Sequence, residues 1–248
     1  MTKKHHAMLL KIINVIAFAL MVFMNYLANA LPLNGKTTGQ LSAQYPNLFV
    51  PAGITFSIWG VIYTMLLIYS ILQFSSQQKG IVNAIGWAFA FSCLINIMWI
   101  FAWHYEKLIM SVLVMIGLLI TLIMINKILQ GTSAGFSKAV FGIYLGWICI
   151  ATIANITALF VHINWSGWGI SPQGWTMIMV AAGTVIALLA ILRFNNPFIG
   201  LAIIWALAGI VIKRQSDYMS IAVAAIIGIV LVAIVSLIQS YHLFSRSS

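Results

Sequence analysis

Amides, phenols and indoles recur on single faces of apolar segments in this chain. In residues 143–155, Tyr144, Trp147, Ala151 and Asn155 are separated by offsets of three, seven and eleven, which return to nearly the same angle at 3.6 residues per turn. Thr55, Trp59 and Tyr63 are spaced by four, and Asn96, Trp99 and Trp103 follow at offsets of three and seven. Asn14, Asn25 and Asn29 lie within about 60° of one another on a helical wheel. Such stripes are costly against lipid, so they should face protein or a cavity. The chemistry they offer is recognition: indole faces to stack on a ring and amides to bond its polar edge. No nucleophile–base pair, paired carboxylates or metal-ligand cluster accompanies them. The chain is therefore not read as an enzyme, and no cofactor is required.

The elements carrying these stripes follow from composition. The chain is 63% hydrophobic and only 6% charged, far from the makeup of a soluble domain. Eight windows are long enough to cross a hydrocarbon core: 8–30, 51–74, 83–104, 108–129, 138–162, 174–192, 197–213 and 219–241. The fold class is thus all-α, a polytopic membrane bundle of about eight helices. The five prolines (Pro32, Pro46, Pro51, Pro172, Pro197) sit in connections or at helix starts, where a missing amide costs least.

The net charge of +10 does not point to nucleic acid, because the basic residues are spread among the connections with no basic aromatic stripe. They fit membrane orientation better. With the N-terminus inside, Lys3, Lys4, Lys11, Lys79, Lys127, Lys138, Arg193 and Arg246 lie inside, against Lys36, Lys107, Lys213 and Arg214 outside. Lys213 and Arg214 fit this bias least. Both carboxylates, Glu106 and Asp217, fall outside. Cys93 and Cys149 lie within apolar windows and read as small packing residues.

Depth gathers the stripes. In this orientation Trp59, Asn96 and Asn155 all lie about 10–12 Å below the outer ends of their helices. Asparagine commonly bonds membrane helices together, which is the plainer account of any single one. A cluster at one depth suggests instead a cavity, with Trp147 and Tyr144 as its floor.

The pattern Tyr144-x-x-Trp147-x-x-x-Ala151-Thr152-x-x-Asn155 resembles the fifth helix of the tryptophan-rich sensory protein family, also called translocator protein or peripheral benzodiazepine receptor. Pro51, Trp59 and Tyr63 match its second helix, and Asn96 and Trp99 its third. The resemblance covers about residues 8–162. It implies a five-helix membrane core, often dimeric, that binds porphyrins, sterol-like lipids and synthetic drugs in a pocket near the connection between helices 1 and 2. It also implies a site of Trp59, Tyr63, Asn96, Trp99, Tyr144, Trp147, Ala151 and Asn155, to which the stripes add Asn25 and Thr55, with porphyrin or haem as a possible ligand and a homodimer as a possible assembly. A multi-pass protein of a bacterial plasma membrane with cytoplasmic termini is the corresponding location. Because the resemblance requires a first helix, the run ending Ala28-Asn29-Ala30 is read as that helix and not as a cleaved signal.

Departures from the family pattern are specific. Gly53 stands where a second tryptophan usually lines the pocket, Ile156 replaces a tyrosine of a proposed cholesterol motif, and Ile100-Phe101 replaces a double proline. Residues 163–248 fall outside the five-helix pattern and form a three-helix extension. The expected function is binding of a tetrapyrrole- or sterol-like molecule for sensing, sequestration or transport. The alternatives are facilitated movement of a neutral or lipophilic solute, since no carboxylate lies within a span to couple ions, and tryptophan-assisted porphyrin breakdown.

Gly35-Lys36-Thr37-Thr38 mimics the end of a phosphate loop but lacks its first glycine and its strand. The 31–50 connection is long and reads as a lid, with Tyr45-Pro46-Asn47-Leu48-Phe49 over the mouth. Gly142 and Gly146 form a GxxxG that serves either a dimer seam or, preferably, a groove for the C-terminal helices. Trp165 and Trp168 read as interfacial anchors, His104 and His162 as helix-end histidines rather than metal ligands, and Trp205 as core packing. Asn195-Asn196-Pro197 reads as a tight inner turn.

Overall fold

A computed structural model describes residues 3–31, 33–132 and 135–245. Pro32, Arg246 and both chain ends, which entered the sequence reading, lie outside them. Ten α-helices follow in order among the described residues: α1 Lys3–Ala30, α2 Thr38–Gln44, α3 Ile58–Leu72, α4 Lys79–Ile85, α5 Ala88–His104, α6 Leu108–Leu129, α7 Gly135–His162, α8 Pro172–Phe194, α9 Phe198–Arg214 and α10 Met219–Ser245. This is a helical membrane bundle. Every apolar window falls on a helix, but six spans are long and apolar enough to cross a membrane alone. The bent pair α4–α5 makes a seventh. The remaining window, α9, has 17 residues, about 25 Å and at the short end for a crossing.

Two windows are not the continuous helices expected. Residues 83–104 break at Gly86, whose φ of 56° and ψ of −131° suit only glycine, and the chain turns by 60° between α4 and α5. Residues 51–74 begin as a 3-10 segment, Gly53–Ser57, before α3 starts.

Contacts of α3 with α1, α1 with α5, α5 with α6, α6 with α7 and α7 with α3 close a ring of five helices. The second face of α7 carries the C-terminal helices: α8 and α9 pack on it and α10 packs on both. Small residues allow this. A Cβ at Gly146 would collide with the carbonyl oxygen of Ile199, and one at Gly142 would come within 2.7 Å of the Asn196 amide. The GxxxG is therefore a groove filled by the start of α9 within the same chain, so a seam between two copies would need another face.

The turn expected at Asn195-Asn196-Pro197 locks that groove. Asn195 takes a left-handed conformation with φ 47° and ends α8. Asn196 is buried and donates to Asn126 Oδ1 at 2.9 Å and to the Lys138 carbonyl at 2.9 Å, joining α6, α7 and α9.

Candidate ligand-binding site

The asparagine stripes mostly bind one another. Asn25 Nδ2 donates to Asn96 Oδ1 at 2.8 Å, and Asn96 Nδ2 donates to the Tyr144 hydroxyl at 3.2 Å, linking α1, α5 and α7. Trp99 Nε1 donates to Asn155 Oδ1 at 2.9 Å, and Asn155 Nδ2 donates to Ser111 Oγ at 2.8 Å. Asn96 and Tyr144 are fully buried. Interhelical bonding, the plainer account, thus describes these amides, and the bonds hold the ring at the depth where the aromatics gather. Asn14 belongs to the opposite end, where its amide donates to Gln73 Oε1 at 3.2 Å.

Above this layer lies a chamber of about 1030 Å³. Val22, Asn25 and Tyr26 of α1 form one wall, and Trp59 and Tyr63 of α3 with Trp99 of α5 form another. A smaller space of about 70 Å³ continues inward to Trp147, Ala151 and Asn155 on α7. Trp59 is the hub: its ring stacks on Tyr63 at 5.4 Å and meets Tyr144 and Trp147 edge-on at 6.0 and 6.1 Å. Trp99 stacks on Trp103 at 5.8 Å. Two buried polar atoms on these walls, the Trp147 indole N–H and the Tyr63 hydroxyl, have no hydrogen-bond partner among the described residues.

The sequence-predicted residues therefore divide. Asn25, Trp59, Tyr63, Trp99, Trp147, Ala151 and Asn155 line one or both spaces. Asn96 and Tyr144 lie behind the wall in the hydrogen-bonded layer. Thr55 is elsewhere. Three residues per turn in the 3-10 segment undo the four-residue spacing to Trp59, and the Thr55 side chain packs on Gly209 of α9. Gly53 opens into the large chamber, and a Cβ there would meet nothing within 4 Å.

The 31–50 connection roofs the chamber, with Thr37, Thr38, Ser42, Ala43 and Val50 facing it. It contains a helix, α2, whose signal was present in Thr37-x-x-Gln40. Thr37 Oγ1 accepts from the Gln40 amide at 3.2 Å while Gln40 Oε1 accepts from the Thr37 amide at 2.8 Å, a reciprocal cap. The pseudo-phosphate sequence is simply the entry to this helix.

Two sets of bonds hold the roof. On one side Glu106 accepts from Lys36 Nζ at 2.8 Å and from the Tyr45 hydroxyl at 2.9 Å. His104, buried beside them, lies 3.4 Å from Thr38 Oγ1, and Tyr45 meets the His162 ring edge-on at 5.9 Å. On the other side the C-terminal helices hold the chain. Arg214 donates to the Leu48 and Asn47 carbonyls, each at 3.0 Å, and to Asp217 at 3.1 Å. The Ala52 amide donates to the Gly209 carbonyl at 3.0 Å, and the Trp205 indole to the Thr55 carbonyl at 2.8 Å. Trp205 thus has a bonding role beyond packing. Nothing in local sequence pattern marks the contacts from α9 to the lid, because those partners lie about 150 residues or more apart.

The latch at Glu106 has a defined pH dependence. Bonds from Lys36 and then Tyr45 hold its carboxyl below the usual value of 4.5. Burial and then Glu106 push the Tyr45 hydroxyl up to about 12, so it remains a donor. A lowered carboxyl pKa stabilises the latched state above about pH 4.5, and that stabilisation is lost as pH falls through the lower native value. Amide exchange in residues 36–45 is expected to accelerate on acidification in the wild type. In Glu106→Gln it should already be fast at neutral pH and change little. Equal profiles for the two proteins would remove the latch.

The sequence pattern of the TSPO-like protein family matches residues 11–238, so it runs through the last three helices as well as the first five. No curated protein and no solved structure matches the chain. With the helical membrane bundle, the aromatic chamber and a match over most of its length, this chain belongs to the TSPO-like protein family.

Proposed function

We propose that this protein binds a flat, amphipathic small molecule, tetrapyrrole- or sterol-like, beneath the lid, for sensing, sequestration or carriage across the membrane. The observation that carries this reading is the chamber of about 1030 Å³ walled by Trp59, Tyr63 and Trp99. Its volume lies at the upper end of small-molecule sites, and aromatic walls with few polar atoms are their usual makeup. The unpartnered Trp147 N–H and Tyr63 hydroxyl supply a reason for polar substituents to be bound. In this reading the lid faces outward and both termini are cytoplasmic, in a bacterial plasma membrane, with the basic bias as support for the orientation.

Two variants test the reading. Trp59→Ala should weaken a panel of porphyrins and sterols by roughly 1–3 kcal/mol, the loss expected for a buried aromatic contact. Gly53→Trp should restore a wall in open space and exclude the bulkier members selectively. Titration followed by tryptophan quenching and by calorimetry reads both. Unchanged affinities in both variants would mean that the stripes serve packing alone.

A further inference from the structure

The chain contains only two carboxylate side chains, and both are already engaged. Glu106 takes Lys36 and Tyr45, and Asp217 takes Arg214. Lys213, one residue before Arg214 on α9, has no hydrogen bond or ion pair among the described residues. Yet it lines the large chamber and also a neighbouring pocket of about 460 Å³. The two spaces share the lid residues Ser42, Ala43 and Val50, and the Ser42 hydroxyl likewise has no hydrogen-bond partner among the described residues. A cation at the rim of an apolar chamber, with Glu106 bonded to Lys36 and Tyr45 and Asp217 bonded to Arg214, has only the field of Asp217 nearby and no bonded anion of its own.

We infer that Lys213, which lines the same two spaces as Ser42, receives the acidic group of an anionic amphiphile whose apolar body lies in the chamber. This rests on the binding role proposed above and adds the charge of the molecule to it. It also gives the C-terminal helices a part in the site, because the cation comes from α9 and not from the five-helix ring. An ammonium donor to a carboxylate or phosphate is a charge-assisted bond, stronger than one between neutral groups. Lys213 is itself exposed at the rim, so this bond should weaken as salt is added. Arg214 cannot substitute, since its guanidinium is spent on the Leu48 and Asn47 carbonyls and on Asp217.

The test uses 1-pyrenebutyric acid and its methyl ester, which share an aromatic body and differ in charge. Energy transfer from tryptophan to pyrene measures binding to the full-length protein in neutral detergent at neutral pH. Wild type should prefer the acid by roughly tenfold, the equivalent of one good charge-assisted bond. Lys213→Gln should abolish that preference while leaving ester affinity unchanged, and Lys213→Arg should retain it. Comparing the ratio within each variant cancels the different partitioning of the two probes into detergent. Binding of both probes without preference, or a preference that survives Lys213→Gln, overturns the role of Lys213 and leaves the chamber as a neutral ring site. Binding of neither probe overturns the chamber reading and this inference with it. In lipid nanodiscs, a preference that persists when phosphatidylglycerol is added to phosphatidylcholine assigns the position to the probe's acid. One that disappears keeps the anion site and identifies an anionic lipid as its occupant.

Discussion

Gly146→Ala is expected to destabilise the protein by about 2–3 kcal/mol, the upper range for overpacking a tight contact. The added methyl would strike the backbone carbonyl of Ile199, and Ala202 Cβ stands only 3.1 Å away. A flexible side chain could swing aside, but a helix backbone cannot, so α7 and α9 would have to separate along their shared groove. Thermal unfolding in detergent should show a fall of roughly 5–10 °C. Gly60→Ala is the matched control, because its Cβ would meet nothing within 4 Å and alanine favours a helix. Melting temperatures that move together in the two variants would mean that the α7–α9 contact yields easily.

Arg214→Met should release the lid. The guanidinium is the donor to two lid carbonyls and the partner of Asp217, and its side chain is only 10% exposed. Removing it leaves two backbone acceptors without their donor and one carboxylate unpaired, a loss on the order of 2–4 kcal/mol. Amide exchange across residues 45–53 should rise, and a ligand held at the proposed site should dissociate faster. Arg214→Lys should rescue only in part, since a single ammonium cannot reproduce the forked geometry. Exchange that stays slow in Arg214→Met would show that Gly209 and Trp205 hold the lid unaided.

Much of this architecture is legible in residue order. Apolar length located the long helices but not α2, and the polar faces of α1, α3, α5 and α7 located the layer in which they meet. The failures have separate physical causes. Thr55 left the predicted stripe because a 3-10 turn advances each residue further than an α-helix does. The window around Gly86 broke because one glycine adopted a conformation that hydropathy does not register. Asn96 and Tyr144 share the depth of the chamber but satisfy each other behind its wall, a distinction that depth alone does not carry. Lys213 and Arg214 looked awkward as orientation signals because they answer to other demands: one ties down the roof and the other faces the chamber.

The groove on α7 also constrains when the molecule can become whole. Ribosomes deliver α7 well before α9, so during synthesis the Gly142–Gly146 surface and the polar ends that Asn196 later caps must wait in lipid without their partner. Domains made in sequence commonly fold as they emerge, but here the ring can close before its roof is tied. Arg214 and Gly209, which bind residues 47–52, arrive among the last helices. A nascent chain stopped after α7 would present an unfilled glycine seam to the membrane, together with a loose lid. That interval ends only when α8 has entered and α9 has docked on α7.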